Sequence, residues 1–462
     1  MESFFNPKSV AIIGASAVPG KLGHEITKNF VKYGFKGEVY PVNLKWDKIL
    51  GLKVWRSVLD IPNTVDLAVI ATPAKSVPKI MEECARKKVK AVIIISGGFR
   101  ETGHKGAVLE EQIVRVVKKS GIRVIGPNCV GIYDAVTKVD TIFDPPSRLQ
   151  RPSAGPISII AQSAAVGAGL LEWLDQEEIG VSKFISYGNA CDVNEADLLE
   201  YLGDDESTKV VILQIEGFSD GRKLIEVAKR VTLKKPVVGL KTGRTRTGGR
   251  VARSHTAVLA GRDEICDAAF KQSGIIRAHT CEEALDFAKA LAYQPLPKGD
   301  KVLIFGNSGG TAVIASDFCE DLGIPLAALK KESINRIKEI FPPHTIIQNP
   351  MDLTGDVTSE NLGRALEYSV SDAGVDCVVL LVQFQTPLLS EEVVDIIGEV
   401  SQRFPDKPFV FGGVGGDYTL KLARMLEKKY RIPAYKCPER AVKALWALIW
   451  RSKYLKGREA QI

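Results

Sequence analysis

Short apolar runs alternate with amphipathic stretches along the whole chain, and few folds accommodate that alternation. The apolar runs include residues 9–14, 66–71, 91–96, 156–161, 210–215, 301–305 and 377–382. Between them lie stretches of helical period such as 75–88, 221–231 and 334–341. Runs that are apolar at successive positions suit strands buried on both faces, and helices between them make the sheets parallel and covered on both sides. The expected class is therefore α/β. At 462 residues the chain has room for about three such domains.

Two breaks divide it. Residues 143–156 hold four prolines and little periodicity and read as a linker, and the Gln-Pro-Leu-Pro-Lys-Gly stretch at 294–299 reads as a second. The segments are then 1–145, 152–293 and 299–462. A weak repeat relates the last two. Ile159-Ile160-Ala161-Gln162-Ser163-Ala164 matches Leu303-Ile304-Phe305-Gly306-Asn307-Ser308-Gly309-Gly310 in type. In each, an apolar strand ends at an amide and a serine, and a helix begins among small residues. Such a turn presents backbone N–H groups to an anion, with Ser163 or Ser308 placed to cap. Plain helix capping explains each turn equally well when it is taken alone.

The first segment opens with Val10-Ala11-Ile12-Ile13-Gly14-Ala15-Ser16-Ala17-Val18-Pro19-Gly20-Lys21, a strand, a glycine turn and a helix start. This resembles the opening of a dinucleotide-binding domain, but the glycine spacing departs from G-x-G-x-x-G. The second strand ends at Asn43-Leu44-Lys45, where an NAD site usually wants an acid. Lysine instead suits a ligand with an extra phosphate, NADP or coenzyme A. Thr72-Pro73 and Ser96-Gly97-Gly98 end the next two strands, at the sheet edge where such folds bind ligands. Gly97 and Gly98 also suit a simple tight turn. The net charge of +7 agrees with small anionic ligands, and the absence of a dense basic run argues against nucleic acid. No apolar run is long enough for a membrane span, the N-terminus has no signal-peptide pattern, and the eight cysteines form no CxxC pair, so a metal site is not expected and a reducing cytoplasm is.

The most informative stretch follows the strand at 236–240. Lys241-Thr242-Gly243-Arg244-Thr245-Arg246-Thr247-Gly248-Gly249-Arg250-Val251-Ala252-Arg253-Ser254-His255 combines glycines, hydroxyls and bases without helical or strand period. It predicts a mobile loop suited to a phosphoryl group. His255 can attack phosphorus and later leave, because imidazole titrates near neutrality. Glu216, ending the strand at 210–215, is placed to hold the other ring nitrogen. A solvated surface loop, a structural histidine and a solvent-facing carboxylate account for the same residues.

Taken together, these stretches resemble a known family. Residues 10–23, Asn43-Leu44-Lys45, Ser96-Gly97-Gly98-Phe99-Arg100-Glu101, Gly126-Pro127-Asn128-Cys129, Gln162-Ser163, Ser186-Tyr187-Gly188-Asn189, Ser254-His255-Thr256 and Gly306-Asn307-Ser308-Gly309-Gly310 occur in the order found in α subunits of NDP-forming acyl-CoA synthetases. These belong to the succinyl-CoA synthetase superfamily, and the likeness is greatest to the ADP-forming acetyl-CoA synthetases. One departure is Leu44, where family members commonly carry proline before the lysine. The resemblance implies a Rossmann-like CoA-binding domain over 1–145 and two flavodoxin-like domains, a ligase domain with the phosphohistidine over 152–293 and a second ligase domain over 299–462. It implies that His255 is phosphorylated and Glu216 orients it. Gln162, Ser163 and Ala164, with Asn307, Ser308, Gly309 and Gly310, would receive the phosphoryl group. Gly14, Ala15, Ser16, Gly20, Lys21, Asn43, Lys45, Thr72, Pro73, Ser96, Gly97, Gly98 and Asn128 would hold coenzyme A. The implied reaction joins acetyl-CoA, ADP and phosphate to acetate, CoA and ATP. A separate ATP-grasp β subunit would hold ADP or ATP with magnesium, in an α2β2 heterotetramer. Two rival functions fit parts of the sequence, an NADP-dependent oxidoreductase and a non-catalytic CoA-binding regulator.

Overall fold

The computed structural model describes residues 1–256 and 262–459, with the backbone alone for 253–256 and 459. Met1–Cys281 and Glu282–Ile462 form two compact units. The first unit contains two large sheets and a two-stranded one, Lys48–Ile49 with Leu52–Lys53, and the second contains one large sheet.

The apolar runs become strands buried along their length because residues of both parities are apolar. In the first sheet Val10, Ile12, Leu67, Val69 and Ile93 pack into the core on one face. Ala11, Ile13, Ala68, Ile70, Val92 and Ile94 fill a separate core on the other. The third sheet divides in the same way, with Leu303, Phe305, Val378 and Leu380 on one face and Val302, Ile304, Val379 and Leu381 on the other. Side chains alternate across a strand, so a two-sided core requires such a continuous run. The core of the first sheet continues into the second through Ile160, Ile185, Tyr187 and Leu213. Among the described residues no helix is long and apolar enough to cross a membrane.

The three large sheets share one topology. The first runs Glu38–Val42, Ser9–Ile13, Leu67–Ile70, Ala91–Ile94, Arg123–Ile125, all parallel. The second runs Ile275–Ala278, Val237–Lys241, Val210–Ile215, Ala154–Ala161, Val181–Ser186, Ile132–Asp134. Its last strand is antiparallel, with Tyr133 opposite Phe184. The third runs Met351–Asp352, Val302–Gly306, Cys377–Leu381, Phe409–Gly412, Ala434–Tyr435, again parallel. In each sheet the chain leaves the opening parallel strand to one side and then returns to its other side. The crevice at the carboxyl ends of the opening strand and its neighbour on that other side, the switch point of the sheet, is where such sheets take ligands.

Two features depart from the sequence expectations. The stretch after Lys241 is not an irregular loop throughout, since Arg246–Thr256 is a helix. The Thr245 hydroxyl accepts from the Gly248 N–H at 3.1 Å, an N-cap that offsets the cost of Gly248 and Gly249 in the first turn. The proline-rich stretch is also more tightly held than a free linker. Residues 141–153 carry no helix or strand, but Arg151 pairs with Asp140 at 2.9 Å and donates to the Asp144 carbonyl at 2.9 Å.

Candidate functional site

In the first sheet the crevice lies between the loops that follow Ile13 and Ile70. It has a volume of about 840 Å³ and is lined by Gly14, Ser16, Lys21, Asn43, Lys45, Thr72 and Pro73, among others. That size accommodates a large cofactor. Gly14 has φ +96°, and a Cβ there would lie 2.5 Å from the Ala71 carbonyl oxygen, so the two loops can touch only through glycine. The Asn43 amide ties the walls together. Its Nδ2 donates to the Ala15 carbonyl at 2.8 Å, and its Oδ1 accepts from the Lys45 N–H at 2.8 Å. The Ser16 hydroxyl accepts from the Val18 N–H at 3.1 Å, and the Glu25 carboxylate takes the Gly20 N–H at 2.9 Å. Ala15 is fully buried beneath this turn. Ala15 and Gly20 therefore shape the crevice from outside its lining.

Trp46, Arg56, Ser76 and Lys79 also line it, and no sequence motif singles them out. Arg56 braces the 43–47 loop through the Trp46 carbonyl at 3.1 Å and the Asp47 carboxylate at 2.5 Å. Lys21, Lys45 and Lys79 are exposed, and none forms an ion pair among the described residues. Three ammonium groups at one mouth favour a ligand with several phosphates. Reversing one charge, Lys79→Glu, is expected to weaken coenzyme A binding about tenfold in dilute buffer and less at high salt. Calorimetry at two ionic strengths checks this, and an unchanged affinity would remove Lys79 from the site.

Ser96, Gly97, Gly98 and Asn128 do not line this crevice. They gather one strand further along, where the Ser96 hydroxyl donates to the Thr72 carbonyl at 2.5 Å and the Asn128 N–H to the Ser96 carbonyl at 2.9 Å. Here the first sheet meets the loop after the strand Val181–Ser186. Asn189 Nδ2 donates to Glu101 at 2.7 Å and to Glu110 at 2.9 Å, while the Arg100 guanidinium donates to the Asn189 carbonyl. Burial opposes ionisation of Glu101, but the Asn189 amide and the Gly98 and Phe99 N–H groups outweigh it and hold the carboxyl below its ordinary value. For Glu110 burial prevails over the nearby Arg100, and its carboxyl is raised. These contacts join residues 79 to 89 positions apart, which no local pattern discloses.

The second switch point brings Gln162, Ser163, Ala164 and Glu216 together. Ser163 caps the helix Ala164–Gln176 by accepting the Val166 N–H at 3.4 Å, and its own N–H donates to Gln214 Oε1 at 2.9 Å. The N–H groups of Ala164 and Ala165 have no acceptor among the described residues and lie at the accessible helix start. They form a cradle for an anion. Gln162 Oε1 accepts the N–H of Glu216 at 2.7 Å and of Gly217 at 3.2 Å, so this amide oxygen fixes the carboxylate-bearing turn. Glu216 is 9% exposed. His255 falls in the last turn of the helix Arg246–Thr256, and its imidazole lies outside the described side chains.

The third switch point holds Asn307, Ser308, Gly309 and Gly310. Asn307 Oδ1 accepts the Gln383 N–H at 2.8 Å and its Nδ2 donates to Thr386 at 3.2 Å, bridging the two loops of that crevice. Ser308 stands at the N-cap of the helix Gly309–Asp321, but its hydroxyl makes no capping bond, unlike that of Ser163. A Cβ at Gly309 would lie 2.6 Å from Asp352 Oδ2, so a carboxylate stands directly behind this turn. Among the described residues no group of acids, histidines and cysteines is arranged to hold a metal ion.

Three family models match the chain in succession, a CoA binding domain over 8–135, a succinyl-CoA ligase like flavodoxin domain over 154–291 and a ligase-CoA domain over 302–461. The chain is 42% identical to acetate–CoA ligase (ADP-forming) I subunit alpha of Pyrococcus furiosus, over 98% of this chain and 99% of that protein. It is also 42% identical to acetate–CoA ligase (ADP-forming) of Methanocaldococcus jannaschii, where the match takes in 98% of this chain and 63% of that longer protein. Among solved structures, the dinucleotide-forming acetyl-coenzyme A synthetase 1 of Ca. Korarchaeum cryptofilum, in complex with phosphate and ADP, superposes with a TM-score of 0.92 at 36% identity, over 99% of this chain and 98% of that one. The chain belongs to the family of α subunits of ADP-forming acetate–CoA ligases, acid–thiol ligases of the succinyl-CoA synthetase superfamily.

Proposed function

We propose that this chain is the CoA-binding, phosphoryl-carrying α subunit of a cytoplasmic acetate–CoA ligase that interconverts acetyl-CoA, ADP and phosphate with acetate, CoA and ATP. The observation that carries the proposal is the pairing of a buried carboxylate, Glu216, with open N–H groups at Ala164 and Ala165 on one switch point. Coenzyme A lies in the crevice of the first sheet, its phosphates facing Lys21, Lys45 and Lys79. A phosphate oxygen attacks the thioester carbonyl carbon. The carbon–sulfur bond breaks, CoA leaves as the thiol, and acetyl phosphate forms. His255 then attacks phosphorus, the bond to the acyl oxygen breaks, and acetate leaves. Glu216 accepts the other ring N–H and stabilises the charged imidazole, while the Ala164 and Ala165 N–H groups hold the phosphoryl oxygens. Finally the terminal oxygen of ADP takes the phosphoryl group and frees the imidazole. Asn307, Ser308, Gly309 and Gly310 offer a second helix start of the same kind for that transfer. The nucleotide and its magnesium are assigned to an ATP-grasp β subunit, in an α2β2 assembly.

The test is to purify the chain with that partner and follow ATP formation from acetyl-CoA, ADP and phosphate. CoA binding without ATP formation would turn the assignment toward a regulator. Glu216→Gln is expected to leave CoA affinity unchanged and to slow phosphoenzyme formation about 10–100-fold. Unaltered single-turnover phosphorylation would exclude Glu216 from the chemistry.

A further inference from the structure

The turn that carries Glu216 is held from two sides. Gln162 binds its first two N–H groups, as described above. Two residues on, the Ser219 N–H donates to Glu195 Oε1 at 3.0 Å. Glu195 is fully buried, although the turn it grips is exposed at Ser219. It is the first residue of the helix Glu195–Asp204, where a carboxylate often serves the helix start. Here Asn194 does most of that task, and the Glu195 carboxyl takes its own N–H besides. Asn194 Oδ1 accepts the N–H groups of Ala196 at 3.0 Å and Asp197 at 3.1 Å, and Asp197 reciprocates at the Asn194 N–H.

The arrangement is expensive for the fold. Burial raises the Glu195 carboxyl against its own hydrogen bonds. Its Oε2 has no hydrogen-bond partner among the described residues, and neither has the hydroxyl of the equally buried Tyr187. Burying a polar atom unpaired costs stability, and each such atom in a native fold calls for a reason, a functional one among them. Without Glu195 the turn keeps its bonds at Glu216 and Gly217 but loses its hold at Ser219.

We infer that Glu195 is a positioning residue for Glu216, gripping the far end of the Glu216–Ser219 turn so that this carboxylate stays aimed at the phosphoryl-carrying side chain. It touches no substrate. The inference rests on the role proposed for Glu216, and the control below separates the two.

Glu195→Ala, purified with the partner subunit, is expected to lower kcat about 10–100-fold, the loss typical of a reacting group displaced by about an ångström. KM for acetyl-CoA should stay within about twofold, because the coenzyme crevice is built by the other sheet. Glu195→Gln keeps an oxygen that can accept the Ser219 N–H and should recover kcat to within about threefold of the parent. An alanine variant at the parent kcat would overturn the inference, as would a glutamine variant as slow as alanine. If the alanine variant does not fold, Glu195→Asp answers the same question. Its shorter side chain cannot reach Ser219, so a parental kcat there also overturns the inference. Glu216→Gln is run in parallel. If that variant reacts at the parent rate, the proposed role of Glu216 falls first. If it is slow while Glu195→Ala is not, only the present inference falls.

Discussion

Replacing His255 with alanine is expected to abolish phosphoenzyme formation and to reduce ATP synthesis at least about a thousandfold, as removal of a covalent nucleophile does. The measurement is transfer of radiolabel from γ-labelled ATP to this chain in the presence of its partner. Coenzyme A affinity should be unaffected, because among the described residues the crevice of the first sheet takes no lining from 241–252. Two other histidines are engaged elsewhere. His24 Nδ1 meets the Ser16 carbonyl at 3.0 Å, and His344 lies 3.6 Å from Asp356. Label that persists on the alanine variant would overturn the assignment of His255.

Gly14→Val should be the most damaging change in the coenzyme site. Position 14 has φ +96°, and its Cβ would stand 2.5 Å from the Ala71 carbonyl oxygen and 2.9 Å from its carbon. Left-handed strain costs about 1–3 kcal/mol and forced overpacking a further ~1–3 kcal/mol. The expected outcome is a loss of about 2–6 kcal/mol in urea unfolding and no measurable coenzyme A binding by calorimetry. Gly20→Ala is the control. Gly20 also has a positive φ, +82°, but nothing lies within 4 Å of its Cβ position, so only the strain remains and binding should survive. Equal losses in the two variants would show that crowding at Ala71 is not what makes Gly14 necessary.

Much of the fold could be read from the chain because both-face burial writes itself as unbroken apolar runs. Val10 to Ile13 and Val210 to Leu213 lie in strands for that reason. A glycine, or an amide followed by a serine, then stands at the carboxyl ends, and this places Gly14, Gln162 and Asn307 at switch points. The helix Arg246–Thr256 was not legible, since two adjacent glycines and scattered hydroxyls mask the capping threonine at 245. Nor was the strand Ile132–Asp134, which at three residues is too short to show a period. The partners of Asn189 and Glu195 were hidden for a different reason. Their hydrogen bonds reach residues that only the folded sheet brings near. Ser308 illustrates the reverse error, because a residue type suited to capping does not guarantee the bond.

The short strand Ile132–Asp134 bears on how such enzymes can be taken apart. It precedes the proline-rich stretch yet completes the second sheet, sealing the flank of Val181–Ser186. Asp134 also supplies one of two carboxylates around the buried Lys183, at 3.4 Å, with Asp205 at 2.9 Å as the other. A chimera spliced within 143–153 would therefore pair one homologue's flank with another's seal. Severing the chain there would leave a bare sheet edge and a half-neutralised ammonium in the interior. Interchange of coenzyme modules between relatives has to carry residues 131–142 with the catalytic sheet, so the unit of inheritance and the unit of ligand binding do not end at the same residue.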